Sequence, residues 1–179
     1  MKKNIYYSLL ISAMVSVSAA EETRQVDKHE HGVGELNIAI EGNAIDFEFF
    51  IPGADIVGFE YEAKTESDIA LVNAALEKFG NFDNIFSLPE SSNCNLVNSE
   101  IGINQDDDHD EHDEEAHNEF VAHYSFNCGN IKEIDRISFP YFTTFPNSGE
   151  LEVQFVSEIG STSFEVEGDE PFIDLKGKI

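Results

Sequence analysis

Alternating polar and apolar residues constrain the fold of this chain most strongly. Residues 35–40 alternate in this way, and residues 44–51 do so again with phenylalanine and isoleucine on one face. A turn that contains Gly42 separates the two segments. Such alternation is typical of strands with one buried face, and a short glycine turn joins two of them into an antiparallel hairpin. We therefore predict a β-hairpin over 35–51.

The N-terminus has the three parts of a secretory signal peptide. Two lysines follow Met1, an apolar stretch covers 6–17, and small residues at 18–20 precede two glutamates. Cleavage after Ala20 leaves 159 of the 179 residues. No later segment is long enough to span a bilayer. We predict a signal peptide at 1–20, a periplasmic location and no membrane insertion after cleavage; the alternative is an uncleaved anchor.

The only cysteines are Cys94 and Cys128. An even number in an exported chain favours a disulfide, with two buried free thiols as the alternative. The two residues stand at the outer ends of two further strand-like segments, 95–103 and 120–127, so a bridge clamps the base of a second hairpin. It is expected to contribute roughly 3–4 kcal/mol to stability. It also removes both sulfurs from the possible metal ligands.

Residues 65–79 are predicted to form a helix. Thr65 is a suitable N-cap, and Gly80 ends the pattern. Between them apolar residues recur at helical spacing, which indicates a face packed on the core: Ile69, Val72, Leu76 and Phe79. Shorter elements are expected further along, namely a helical turn in 81–88, a short helix at 131–137, and strands at 151–156, 163–166 and 172–175.

These segments predict one α+β domain, mainly an antiparallel β-sheet with one or two helices. The domain is expected to span 35–179, after a mobile histidine-containing leader at 21–34, and to include a flexible acidic loop at 104–119. A five-residue similarity between 34–38 and 149–153 is interpreted as chance rather than as a repeat.

The chain is strongly acidic. It has 36 Asp and Glu against 10 Lys and Arg, a formal net charge of −26. Loss of Lys2 and Lys3 with the signal peptide brings the net charge to −28. Such a field repels nucleic acid and anionic membranes, and it attracts cations and basic partners.

The acidity is concentrated in residues 105–119. This tract holds nine carboxylates and three of the six histidines, His109, His112 and His117. It has almost nothing apolar to bury, so we expect it to be disordered without a ligand. A divalent cation relieves the repulsion, and imidazole favours zinc, copper, nickel or iron over calcium and magnesium. The alternative is a solvated acidic loop with incidental histidines.

His29 and His31 form a second candidate metal site. In an extended segment, residues two apart point to the same side, so both imidazoles can bind one ion. Two ligands do not complete a tetrahedral site. His123, on a predicted strand, and Glu60 are candidates for the remainder, although a lone strand histidine is more often structural.

Common catalytic motifs are absent from the sequence. It contains no His-Glu-x-x-His, no Gly-x-Ser-x-Gly and no glycine-rich phosphate loop. We predict that the protein is not an enzyme; the alternative is a hydrolase whose metal site the sequence does not reveal.

Three segments in this order also carry a resemblance. They are His-Glu-His-Gly at 29–32, Ala-Asp-Ile-Val-Gly-Phe-Glu at 54–60, and a Cys94 to Cys128 hairpin that holds a His/Asp tract. The chain resembles the ZrgA family, periplasmic proteins regulated by zinc and implicated in zinc uptake. The similarity covers essentially all of the mature chain.

The resemblance implies a soluble Zn²⁺-binding protein that cooperates with a zinc ABC importer or its solute-binding protein. It implies that the family's histidine pair falls on His29 and His31, and its histidine-rich loop on the 105–119 tract. The family usually has a histidine after Gly-Phe-Glu, where this chain has Tyr61. This difference predicts weaker binding or fewer zinc ions.

We therefore expect a periplasmic accessory protein that captures zinc and supports its uptake. His29 and His31 are expected to help build an ordered site, and the 105–119 tract to act as a low-affinity antenna. The alternative is an acidic periplasmic interaction protein without a metal role, which docks on a basic partner.

Overall fold

Six strands form the main sheet of the computed structural model, which describes residues 32–105 and 118–179. Two further short strands pair separately. The strands in chain order are β1 (Val33–Glu41), β2 (Ala44–Pro52), β3 (Cys94–Gln105), β4 (Asn118–Cys128), β5 (Arg136–Ser138), β6 (Glu150–Ser157), β7 (Gly160–Glu167) and β8 (Phe172–Asp174).

The order of strands in the main sheet is β3-β4-β2-β1-β6-β7. All neighbours are antiparallel except β1 and β6, which run parallel. This single domain, dominated by antiparallel sheet with helices added, confirms the predicted α+β class.

Both predicted hairpins are confirmed. β1 and β2 are joined at a turn in which Gly42 has a φ of +60°, a conformation that favours glycine. β3 pairs with β4 so that Cys94 lies opposite Cys128, and a disulfide joins them. The two strands extend to Gln105 and Asn118, so the described ends of the predicted loop at 104–119 belong to strands.

Several predictions fall on residues outside the described part. These are the signal peptide at 1–20, residues 21–31 of the leader, and residues 106–117 of the acidic tract. His29, His31, His109, His112 and His117 belong to these segments, so their placement as ligands stays a prediction.

The helices are α1 (Gly53–Val57), α2 (Glu66–Gly80) and α3 (Tyr141–Thr144) in the described part, with 3₁₀ turns at Phe82–Asn84, Glu90–Ser92 and Ile131–Glu133. The predicted helix is confirmed as α2, and the Thr65 hydroxyl accepts from the Asp68 N–H. Ile69 was predicted to be buried, which is wrong, because it is 44% exposed. The first turn of α2 is not covered by another layer, whereas Val72 and Phe79 further along are buried.

Of the elements predicted in the C-terminal part, the strands are present and the helix is present only as its first turn. The strands at 151–156 and 163–166 are confirmed within β6 and β7, and β8 covers most of 172–175. The predicted helix at 131–137 is wrong beyond its first turn, since Ile137 lies in β5 and pairs with Ile173 of β8. Isoleucines at 131, 134 and 137 have helical spacing, yet each is buried in a different local conformation.

The core lies on one face of the six-stranded sheet. α2, the segment around Phe86 and the β5–β8 pair cover this face. Phe86 stacks on Phe47 of β2 with ring centroids 4.1 Å apart. The Tyr124 hydroxyl donates to the Phe79 carbonyl at 2.6 Å, which ties β4 to the end of α2. Burial raises the pKa of the Tyr124 phenol.

No helix in residues 32–105 or 118–179 has the length and apolar character required to cross a membrane.

Candidate metal centre

One end of the main sheet receives the chain from two of the predicted histidine segments. Gly32 directly follows His31 and leads into β1, and Asn118 directly follows His117 and begins β4. Both strands are antiparallel to β2, and their first residues lie beside its last residues. Since α1 follows β2 at this point, we call this the α1 end of the sheet.

The backbone of Gly32 is fixed from two sides at the α1 end. Its N–H donates to Oδ1 of Asp55 at 2.9 Å. Its carbonyl accepts from the N–H groups of Gly149 and Glu150, at 3.0 and 2.8 Å. Asp55 is only 4% exposed, so this hydrogen bond is shielded from water. Three hydrogen bonds therefore fix the position of Gly32, the residue at which the leader joins the sheet.

Asn118 fixes the end of the acidic tract in a similar way. Its backbone N–H donates to the Glu60 carbonyl at 2.8 Å, and its side-chain amide donates to the Tyr61 carbonyl. Asn118 is 3% exposed, and its Oδ1 has no hydrogen-bond partner among the described residues. A buried polar atom without a partner is uncommon in folded proteins. This oxygen can accept a hydrogen bond from a water molecule or contact a cation.

Gly53, the first residue of α1, allows these segments to approach closely. A Cβ atom at this position would lie 2.6 Å from the Phe59 carbonyl oxygen and 3.0 Å from that of Asn118. Both atoms belong to the backbone, so neither can move without shifting its segment. Glycine at this position thus holds α1, the segment that leads to Glu60 and the start of β4 together.

A buried tyrosine lies near the Asp55 carboxylate. Ser148 donates a hydrogen bond to the Tyr141 hydroxyl at 2.7 Å. Burial raises the pKa of the Tyr141 phenol, the hydrogen bond from Ser148 lowers it in part, and the Asp55 charge raises it further. The phenol therefore stays protonated and adds no charge beside the buried carboxylate.

The described residues supply carboxylates to the α1 end but no complete metal site. Asp55 and Glu60 lie there, together with Glu119 opposite Pro52 and Glu150 opposite Val33. In residues 32–105 and 118–179, no three His, Cys, Asp or Glu side chains lie in positions that suit a metal ion. The segments that lead to Gly32 and Asn118 carry further histidines in the sequence, His31 and His117.

His123 lies elsewhere on the sheet. Its Nε2 is 3.7 Å from Oδ1 of Asp46, which also accepts from the Ser125 hydroxyl, and Glu48 is its cross-strand neighbour on β2. It lies four positions along β4 from Glu119, about 13 Å along the strand. The fold thus brings Glu60, but not His123, to the α1 end.

Sequence reasoning missed Asp55 and Asn118 as residues of this region. The only sequence signal for Asp55 is a single carboxylate within the otherwise apolar 54–59 stretch. Asn118 looked like part of the flexible tract, because the residues before it are almost all charged.

A comparison with models of protein families matches residues 28–175 to the model described as ZrgA family zinc uptake protein. The chain belongs to the ZrgA family. A comparison with curated proteins found no match. The ZrgA match includes the whole α1 end and the disulfide hairpin, and it confirms the resemblance carried by residues 29–32 and 54–60. Membership of the ZrgA family relates the protein to zinc uptake.

Proposed function

We propose that this ZrgA-family protein is a periplasmic zinc-binding accessory that captures zinc and supports its uptake by a zinc ABC importer. It has no catalytic role. One observation carries the proposal: Gly32 and Asn118, which continue two histidine-bearing segments, are both anchored at the α1 end of the sheet. Asp55 and Glu60 lie at the same end.

The proposed ordered site combines imidazole from the leader with oxygen from the α1 end. His31 is joined to Gly32 by one peptide bond, which sets their Cα atoms about 3.8 Å apart. The predicted extended conformation of this segment would place His29 on the same side as His31. Two imidazole nitrogens and carboxylate oxygens form a ligand set that zinc accepts in tetrahedral geometry. His117, next to Asn118, is the further nitrogen ligand with the shortest connection to this end.

The rest of the acidic tract is proposed to act as a low-affinity antenna. His109, His112 and their carboxylate neighbours attract divalent cations from solution. Because the tract has almost nothing apolar to bury, ordering it around an ion is expected to cost entropy and so to weaken binding. Capture by the tract and transfer to the α1 end then follow a gradient of increasing affinity.

Tyr61 supports a modest affinity for the ordered site. It is 55% exposed, and its ring stacks on Phe59 with centroids 4.5 Å apart. A tyrosine is not among the usual zinc ligands, which are Cys, His, Asp and Glu. With Tyr61 where the family usually has histidine, the α1 end has one nitrogen ligand fewer.

Zinc titration of the signal-free chain, residues 21–179, tests the proposal. Calorimetry and elemental analysis after equilibrium dialysis give the affinity and the number of ions. We expect stoichiometric zinc, loss of the tightest site in a His29→Ala/His31→Ala variant, and fewer weak ions when His109, His112 and His117 are changed to alanine. His123→Ala is the matched histidine control for the ordered site. A dialysed protein without zinc overturns the proposal.

The periplasmic location and the importer are tested separately. N-terminal sequencing of protein recovered from the periplasm is expected to begin at Glu21. Zinc-loaded protein is expected to transfer zinc to the purified solute-binding protein of a zinc importer faster than free diffusion through a dialysis membrane allows. Equal rates with and without contact between the two proteins would remove the importer from the proposal.

A further inference from the structure

The side of the main sheet that faces away from the core carries charge of one sign. We call the outward-pointing residues of the six strands the outer face. β1, β2, β6 and β7 each place two carboxylates on it, and β3 and β4 place one each: Glu35, Glu41, Asp46, Glu48, Glu100, Glu119, Glu150, Glu152, Glu165 and Glu167. Every lysine and arginine of the described part lies outside the six strands: Lys64, Lys78, Lys132, Arg136, Lys176 and Lys178.

Strand register places some of these carboxylates side by side. Glu35 of β1 is the neighbour of Glu152 on β6, and Glu152 is the neighbour of Glu165 on β7. Like charges directly opposite each other destabilise a sheet. A surface that only has to be soluble avoids this arrangement by mixing lysines among the glutamates. The row of glutamates therefore indicates that the negative electrostatic potential of the outer face has a function.

The outer face also exposes apolar side chains among its carboxylates. Phe50 and Val121 are cross-strand neighbours that are half-buried, and Val156 is 51% exposed. An open trough of about 340 Å³ has Ala39 and Val156 among its apolar lining. Asp46, Glu48 and His123 line the same trough. Exposed apolar area beside like charges can give a basic protein partner both contact surface and electrostatic attraction.

The arrangement selects one kind of partner. The carboxylates do not converge on a point, since no three His, Cys, Asp or Glu side chains in the described part suit a metal ion. A second copy of the chain is repelled by its own formal charge of −26, and so are nucleic acid and anionic membranes. A protein surface that presents Lys and Arg around apolar residues matches both the charge and the exposed apolar area.

We infer that the outer face is a docking surface for a basic protein partner. Cations of the partner lie over the Glu35–Glu152–Glu165 row, and an apolar or long basic side chain enters the trough above Val156. No step of this docking uses zinc. It therefore stands or falls apart from the metal site, and it gives the proposed accessory a surface through which to contact another protein.

A peptide-binding experiment on the full signal-free chain tests the inference. The probe is a short synthetic peptide with the repeat Lys-Val-Lys-Thr, titrated in the presence of a metal chelator. The test variant is Glu35→Gln/Glu152→Gln/Glu165→Gln. The control variant Glu66→Gln/Glu77→Gln/Glu133→Gln makes the same change in net charge at exposed positions outside the sheet.

We expect the outer-face variant to weaken peptide binding about tenfold and the control variant by less than about twofold, because each exposed ion pair adds a modest contribution and the outer-face variant removes three of them. Amide chemical shifts are expected to move on β1, β6 and β7 and not on α2. Val156→Ser is expected to weaken binding without any change in charge. Equal weakening in the two charge variants, or shifts centred away from the outer face, would overturn the inference and leave the zinc proposal untouched.

Discussion

At the scale of single residues, the close packing of the α1 end depends on Gly53, which has no Cβ atom. A Cβ atom at this position meets the backbone carbonyls of Phe59 and Asn118 at 2.6 and 3.0 Å. We expect Gly53→Ala to lower the free energy of unfolding by about 1–3 kcal/mol, because overpacking of this kind forces the backbone to shift. We also expect it to weaken the tightest zinc site. Urea unfolding and calorimetry measure the two effects.

Gly80→Ala is the matched control. Gly80 is the last residue of α2, has no atom within 4 Å of a Cβ built on it, and does not have a positive φ. The substitution is expected to stabilise the protein by about 0.4–1 kcal/mol, because it reduces the entropy of the unfolded chain. If both variants unfold at the same urea concentration, the close approach at Gly53 does not contribute to the free energy of unfolding.

Single residues also show the limits of prediction from sequence. The Thr65 cap was predictable because capping depends on residues only three positions apart. Periodicity found the buried face of α2 but not how far the layer above it extends, which is why Ile69 was placed wrongly. The role of Asp55 was not predictable, because its partner Gly32 is 23 residues away in the sequence.

At the scale of elements, the disulfide and the α1 end lie at opposite ends of the β3–β4 hairpin. Cys94 pairs with Cys128 at one end, and Gln105 pairs with Asn118 at the other. We expect Cys94→Ala/Cys128→Ala to lower the free energy of unfolding by roughly 2–4 kcal/mol, since the bridge no longer restricts the unfolded chain. Zinc stoichiometry is expected to stay unchanged in folded protein. Urea unfolding at low temperature and elemental analysis measure these effects, and loss of zinc from the folded variant would contradict the separation of the two ends.

The glutamate row across β1, β6 and β7 is expected to lower stability. Glu35→Gln/Glu152→Gln/Glu165→Gln should raise the free energy of unfolding by about 0.5–2 kcal/mol at low ionic strength, because the row contains two pairs of like-charged neighbours. Salt screens these exposed charges, so the gain is expected to shrink at high ionic strength. Urea unfolding at the two salt concentrations measures it. A gain that does not depend on salt would assign the effect to packing instead.

The elements found from sequence are those that local pattern defines. Both hairpins and α2 follow from alternation, turn residues and helical spacing within a few tens of residues. The parallel pairing of β1 with β6 was not predictable, because it joins strands more than a hundred residues apart. It places the similar segments 34–38 and 149–153 on adjacent strands, two residues out of register, with Gly34 beside Leu151. Both segments place apolar residues on the core face at every second position, Leu36 and Ile38 in one and Leu151 and Val153 in the other.

At the scale of the whole molecule, the pH dependence of zinc binding distinguishes histidine ligands from carboxylate ligands, because the two side chains are protonated in different pH ranges. Free zinc at about 100 times its Kd is expected to stabilise the folded protein by about 2.7 kcal/mol. A chain of this size gains about 2–4 °C in melting temperature per kcal/mol, so we expect a rise of roughly 5–10 °C at about pH 7.5. Imidazole binds zinc only when neutral, and its ordinary pKa is about 6.5.

The zinc-dependent rise in melting temperature is therefore expected to decrease as the pH falls. As pH falls through about 6.5, protons compete with zinc for the imidazoles, so the rise in melting temperature is expected to shrink to a small fraction at about pH 5.5. Carboxylates, with ordinary pKa values near 4, remain ionised there and would preserve the rise if they alone held the ion. Differential scanning calorimetry with and without zinc at both pH values measures the effect, and magnesium at equal concentration is the control because it prefers oxygen ligands. An undiminished rise at the lower pH would show that the predicted histidine ligands do not hold the metal, and that zinc binds this acidic protein through oxygen alone.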